Sequence, residues 1–241
     1  MSFTRKIARL SVNRFTQFAA WARRNRRTRL PRNGLVKVNL GCGLQVAKGW
    51  VNVDGSLNSM VASSPGWMVS LAYRCSGARQ FYSKEYYCDT LQNNFFVHHN
   101  LHHGIPLEDR TADFVYSSHF LEHLDRLSAR KLLDECFRVL KEDGVVRIAV
   151  PDLEHAWEMY RGGEKDHMLQ IFFFTEDETG LGQHRYAYDY KMLEALLGEI
   201  GFDRIQRAEF QKGATPDLEH LDNREDYTLF VEAHRPSTSE H

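Results

Sequence analysis

LVKVNLGCGLQVAKGWVNVD, residues 35–54, decides the fold. It opens on a short apolar, β-branched run, 35–40, and closes on a second, 50–54, each reading as a buried strand. Between them stands Gly41-Cys42-Gly43, where the missing Cβ atoms let backbone come close to a ligand. In an open parallel sheet, ligands bind beyond the carboxyl ends of the strands, which is where this turn falls. A dinucleotide fingerprint needs a third glycine and a helix start facing the pyrophosphate. Position 46 is Val, and only LQVAKGW separates the turn from the second strand, so a nicotinamide dinucleotide is disfavoured. Asp54 ends the second strand, where a carboxylate accepts both hydroxyls of a ribose.

The rest of the chain continues the alternation. FFVHHNL (95–101) is a third strand, ADFVYSSH (112–119) a fourth and GVVRIAVP (144–151) a fifth, apolar enough for the centre of a parallel sheet. A helix is expected over 128–141, with Leu132, Leu133, Cys136, Val139 and Leu140 on one face. A second helix, YDYKMLEALLGEIGF (188–202), ends at a glycine cap, Gly201. IQRAEF and YTLFVEAH supply two closing strands. Strand–helix alternation of this kind builds an α/β sheet with right-handed crossovers. Residues 56–95, with Trp67, Tyr73, Phe81, Tyr86 and Tyr87, read as an aromatic, partly helical, lid-like insertion.

VNLGCGLQVAKGWVNVD, LEDRTADFVYSSHFLEHL and CFRVLKEDGVVRIAVPDL together resemble the class I S-adenosylmethionine-dependent methyltransferases. The resemblance is to the methyltransferase type 11 group, with its GCG…GW.N.D connection and H.LEH signature, and covers roughly residues 35–234. It implies a Rossmann-like, mostly parallel sheet with its last strand antiparallel and helices on both faces. It also implies S-adenosylmethionine as cofactor, with Gly41, Cys42 and Gly43 around its methionine part and Asp54 on the ribose. Asn39 would bind or brace the turn. Where the family carries an Asp-Leu pair near adenine, this chain has Asn100-Leu101, whose amide can still bond the adenine amino group.

Four histidines crowd FVHHNLHHGIP (96–106). His98 and His99 occupy adjacent strand positions and so point to opposite faces, while His102 and His103 follow the strand. Four nitrogens converging tetrahedrally on zinc do not suit that alternation, and no metal site is expected. The cluster SSHFLEHL is placed for chemistry, because Ser117 and His119 stand at the carboxyl end of the fourth strand. Ser117 is assigned to the cofactor. His119 is the candidate general base for a hydroxyl acceptor. Asp152, after the fifth strand, and His184, in a glycine-flanked loop, are the other catalytic candidates, whereas Glu122 and His123 read as structural. The absence of an Asn/Asp-Pro-Pro-aromatic turn argues against N-methylation of nucleobases. No HEXXH or G-x-S-x-G pattern is present.

Charge divides the chain. Residues 1–34 hold ten Lys or Arg and no acid, leaving 21 basic against 32 acidic residues in the remainder, a balance of −11. An acidic body excludes general nucleic-acid binding. In the arm, Phe3, Ile7, Leu10, Phe18 and Trp21 project to one side of a helix and Arg5, Lys6, Arg9, Arg23, Arg24 and Arg27 largely to the other, with Arg14 intruding. Such a helix suits an anionic membrane surface, and also suits packing on its own domain. Four scattered cysteines fit a reducing compartment, and no apolar run could span a bilayer. The organisation expected is a basic arm (1–34), a methyltransferase domain (35–235) and a short tail (236–241). The activity expected is O-methylation of a sugar or a glycolipid or polysaccharide precursor in the cytoplasm, with peripheral membrane contact through residues 1–30. A non-catalytic binding subunit of the same fold and an NAD-dependent oxidoreductase are the rivals.

Overall fold

A computed structural model describes residues 16, 19, 21–22, 24–28, 30, 34–75, 77–173 and 183–237. The basic helix expected in the arm falls largely outside the described residues. The chain divides into two compact units, Met1–Glu108 and Asp109–His241.

The first unit is built on three parallel strands: β1 (Lys37–Leu40), β2 (Val51–Asp54) and β3 (Phe95–His98). Val38 pairs with Val51, and Asp54 with His98. Between β2 and β3 run three helices, α1 (Leu57–Val61), α2 (Gly66–Cys75) and α3 (Lys84–Asn93). The aromatic insertion is therefore helical, and its apolar spacing explains why. Val69 with Ala72, and Tyr87 with Leu91, recur at helical intervals and are buried against Cys42, Leu44 and Phe96. Ser83 caps α3 by accepting from Tyr86 N (3.1 Å). Other aromatics of the insertion stay at the surface: Trp67 is 69% exposed and Phe81 79%.

The second unit carries β4 (Ala112–Ser118), α4 (Arg126–Val139), β5 (Leu140–Pro151), α5 (Leu153–Gly162), α6 (Lys165–Phe173), α7 (Tyr190–Ile200), β6 (Asp203–Ala208), α8 (Leu218–Leu221) and β7 (Thr228–His234). The expected face of α4 is buried at Leu132, Leu133, Cys136 and Val139, each side chain contributing about 2 kcal/mol. Leu140, assigned to that helix, instead opens β5, which is longer than GVVRIAVP alone. Gly201 ends α7 in the left-handed region (φ 112°), as its cap position requires. Helices α5 and α6 were not anticipated, since 153–173 lacks a continuous apolar stripe; α5 starts where Asp152 caps it.

The seven strands form a mixed sheet in the order β3-β2-β1-β4-β5-β7-β6, with β7 antiparallel to both of its neighbours. This is the Rossmann-like arrangement expected, including the antiparallel last strand. Among the described residues, no helix is long and apolar enough to cross a membrane.

Candidate functional site

The glycine turn of the first unit is stapled from below by its own strands. Gly41 (φ 63°) and Gly43 (φ 52°) both lie in the left-handed region that favours glycine. Gly41 N donates to Val53 O (2.9 Å), and Gly43 N donates to Asp54 Oδ2 (3.1 Å). Asp54 Oδ1 accepts from Ser56 N (2.7 Å). Each carboxylate oxygen thus holds one backbone N–H and keeps a second lone pair for a ribose hydroxyl. Nothing lies within 4 Å of where a Cβ on Gly43 would stand, so the turn faces open space. Both features fit a nucleoside ligand.

Asn39 is a brace. Its buried amide donates to Gln45 O (2.8 Å) and Asn52 Oδ1 (3.2 Å), tying β1 to the far side of the turn. Cys42 is buried, and burial together with the Asp54 charge pushes its thiol well above the ordinary range, which rules it out as a nucleophile. Asn100 follows β3, its Oδ1 accepting from His102 N (3.0 Å), and Leu101 beside it is buried. The histidine run separates as its alternation requires. His102 and His103 are exposed, whereas His98 and His99 are both buried. Burial, with the charge of His103 second, lowers His99 to about 4 and keeps it neutral.

In the second unit, His119 leaves β4 at φ 48°, uncommon for a residue with a side chain, while its N–H donates to Ala149 O (2.9 Å). Its Nδ1 stands 3.4 Å from Glu122 Oε1, and its Nε2 3.3 Å from Thr228 Oγ1. His184 Nε2 approaches the same Glu122 oxygen at 3.8 Å, and the His123 and His184 rings meet edge to face with centroids 5.0 Å apart. Burial holds His184 below its usual range, against the opposing pull of Glu122. Ser117 is buried, and its Oγ lacks a hydrogen-bond partner.

His119 and His184 line one cavity of 570 Å³, with His167, Asn223, Arg224 and Asp226. His184 also borders a second of 350 Å³, walled by Ala156, Trp157, Tyr160, Met168 and Phe172. A larger one of 670 Å³, bordered by Arg126, Arg130, Met192 and Leu196, holds none of the candidate residues. Asp152, a catalytic candidate from sequence, is absent from the lining of all three. It accepts from Glu154 N (3.0 Å) as the cap of α5 and pairs with Arg207 (3.5 Å). Glu122 and His123, assigned to structure from sequence, join His119 and His184 instead. The signal was their spacing, three and four residues after His119, which a single turn folds back onto it.

Residues 72–148 match the model of a methyltransferase domain. The match begins beyond the glycine turn and Asp54, and includes Asn100, Leu101, Ser117 and His119. No curated protein matches the chain. Among solved structures, it is similar to an S-adenosylmethionine-dependent methyltransferase of Thermotoga maritima, described as a possible histamine N-methyltransferase. The identity there is 16% over 96% of this chain and 90% of the other, with a TM-score of 0.48. A methyltransferase of Archaeoglobus fulgidus is 14% identical over 95% and 94%, with a TM-score of 0.47. The match to a methyltransferase domain covers residues 72–148 alone, and the solved structures show a likeness of fold.

Proposed function

We propose that the protein is an S-adenosylmethionine-dependent methyltransferase acting on a hydroxyl of a sugar carried by a glycolipid or polysaccharide precursor. The observation that supports this best is the double position of His184, on the wall of a cavity reached by several polar side chains and of an aromatic one. A polyol finds donors and acceptors in the first, from His119, Asn223, Arg224 and Asp226. In the second, Trp157 and Tyr160 stack nearly parallel (5.7 Å, 11°) and offer apolar faces to a sugar ring or a lipid chain.

In this reading Gly41 and Gly43 admit the cofactor, Asp54 takes its ribose and Asn100 its adenine. When bound, S-adenosylmethionine supplies a methyl on a sulfonium, whose C–S bond breaks as the acceptor oxygen takes the carbon. His119 accepts the hydroxyl proton at Nε2, where the Thr228 hydroxyl already stands at 3.3 Å. Glu122, facing Nδ1, favours the imidazolium that results. Positioning matters more than base strength, because the leaving group is already activated. The basic arm, residues 1–30, would hold the enzyme at an anionic membrane surface, where such precursors are presented.

The test is transfer of label from methyl-labelled S-adenosylmethionine to sugars offered free in solution and as glycolipids in anionic vesicles. Base-stable label in a sugar hydroxyl is expected, with a preference for vesicles that disappears when residues 1–30 are deleted. His119→Asn, which tolerates the positive φ, should lower turnover roughly 100-fold and leave S-adenosylhomocysteine binding intact. Asp54→Ala should instead weaken that binding by at least about tenfold. Label arriving only on amines, or none at all on sugars, overturns the reading.

A further inference from the structure

Glu122 is the least explained side chain of the described residues. It is 1% exposed, and neither carboxylate oxygen has a hydrogen-bond partner. An isolated carboxylate in such a place is strongly disfavoured unless a cation or a proton joins it. What surrounds it is not a lysine or an arginine but imidazoles. The ligating atoms of Glu122, His123 and His184 lie within 4.8 Å of one another, and His119 Nδ1 approaches from a further side.

One histidine of this trio, His123, is held as metal-binding histidines are held. His123 Nδ1 donates to the Gln183 carbonyl (3.2 Å), which makes Nε2 its lone-pair nitrogen. His184 presents Nε2 toward Glu122 Oε1 at 3.8 Å. A backbone carbonyl on one ring nitrogen fixes the tautomer and aims the other at an ion.

We propose that Glu122, His123 and His184 bind one divalent transition-metal ion. Two imidazoles and one carboxylate form a donor set suited to zinc or cobalt rather than to magnesium or calcium, which take oxygen ligands. Three protein ligands leave a coordination position for water or for an acceptor oxygen. The ligand atoms must close by a fraction of their present separation, because bonds near 2 Å from a common centre place ligands within about 4 Å of each other. The inference does not depend on the acceptor class, since metal content is read without turnover.

The experiment uses the full chain, stripped with a chelator, dialysed against Zn²⁺ and separately titrated with Co²⁺. One ion per chain is expected, with visible d–d absorption from cobalt that zinc abolishes. His123→Ala and His184→Ala should each weaken binding by at least about tenfold, as should Glu122→Gln. His102→Ala/His103→Ala, on exposed histidines outside the trio, should leave it unchanged. If any trio variant fails to fold, the wild type still decides: Zn²⁺ must raise its unfolding temperature in a saturable way. Wild-type protein without stoichiometric metal overturns the proposal. Binding that survives all three trio substitutions, or that disappears with His102 and His103, overturns it equally.

Discussion

The second unit buries two groups of carboxylates, and they are treated in opposite ways. Asp222 and Glu232 surround Arg147, and all three side chains are 0% exposed. Arg147 Nη2 meets Asp222 Oδ2 at 2.5 Å, and Nη1 meets Glu232 Oε1 at 3.2 Å. The remaining guanidinium hydrogens go to Asp222 Oδ1 and to the Lys212 and Glu209 carbonyls. Tyr116 Oη and Gln211 N donate to Asp222, while Ala214 N and Thr215 N donate to Glu232. Gly213 has room for no side chain, since a Cβ there would stand 2.4 Å from Glu232 Oε1. Every charge in this group is answered. Glu122, equally buried, has only the imidazoles of His119 (3.4 Å) and His184 (3.8 Å) beside it, and neither carboxylate oxygen has a hydrogen-bond partner. A complete network fixes a loop to a sheet, whereas an incomplete one marks a place that waits for something from outside.

The most forceful way to break this comparison is Arg147→Met. It leaves two carboxylates buried without their cation, a loss of about 3–5 kcal/mol. A fall in the urea midpoint large enough to cut the folded yield is expected. Near-wild-type stability would mean that the backbone donors around Asp222 and Glu232 suffice, and the network would no longer contrast with Glu122.

His99, in the first unit, sharpens the same contrast, because it settles its burial by giving up its charge. Its Nε2 is buried without a hydrogen-bond partner, and the ring protonates only at about 4 in the folded state, against 6.5 ordinarily. Between those values unfolding takes up a proton, so stability falls as the pH drops from 6.5 toward 4. The whole fall is roughly 3 kcal/mol, and roughly 2 kcal/mol of it is gone by pH 5. Urea titrations at pH 7 and pH 5 should show that decrement in the wild type and a smaller one in His99→Gln. Equal decrements would place the acid sensitivity elsewhere.

Much of the fold was legible in the sequence, because its signals are local. Gly-Cys-Gly between two β-branched runs marks a strand–turn–strand segment, and Asp54 at the end of the second run names its own position. The spacing of Leu132, Leu133, Cys136 and Val139 identifies α4 in the same way. The second unit's chemistry was legible only in part. His119 stands out in the sequence because ligands bind beyond the carboxyl ends of strands in such sheets. Arg147 was hidden inside GVVRIAVP, where a single charge in an apolar strand gives no hint of partners 75 and 85 residues away. Asp152 stands at a strand end that is also a helix start, and the sequence alone does not show that it caps α5. Glu122 and His123 read as structural because only burial, and the approach of His184 from a distant loop, separates them from an ordinary solvated turn.

Glu122→Gln probes the smallest effect and the most telling one. In metal-free protein the substitution replaces a buried carboxyl group whose oxygens lack hydrogen-bond partners with an amide of the same shape. The variant should therefore gain about 1 kcal/mol over wild type in urea unfolding with chelator present. That sign is opposite to the loss expected at Arg147. It follows only if the carboxylate is kept at the expense of stability, as functional groups often are. If Glu122→Gln instead loses several kcal/mol, the carboxylate is already paired with a protonated imidazole, His119 or His184. The cluster would then be a second finished network, and the distinction between the two buried groups would dissolve.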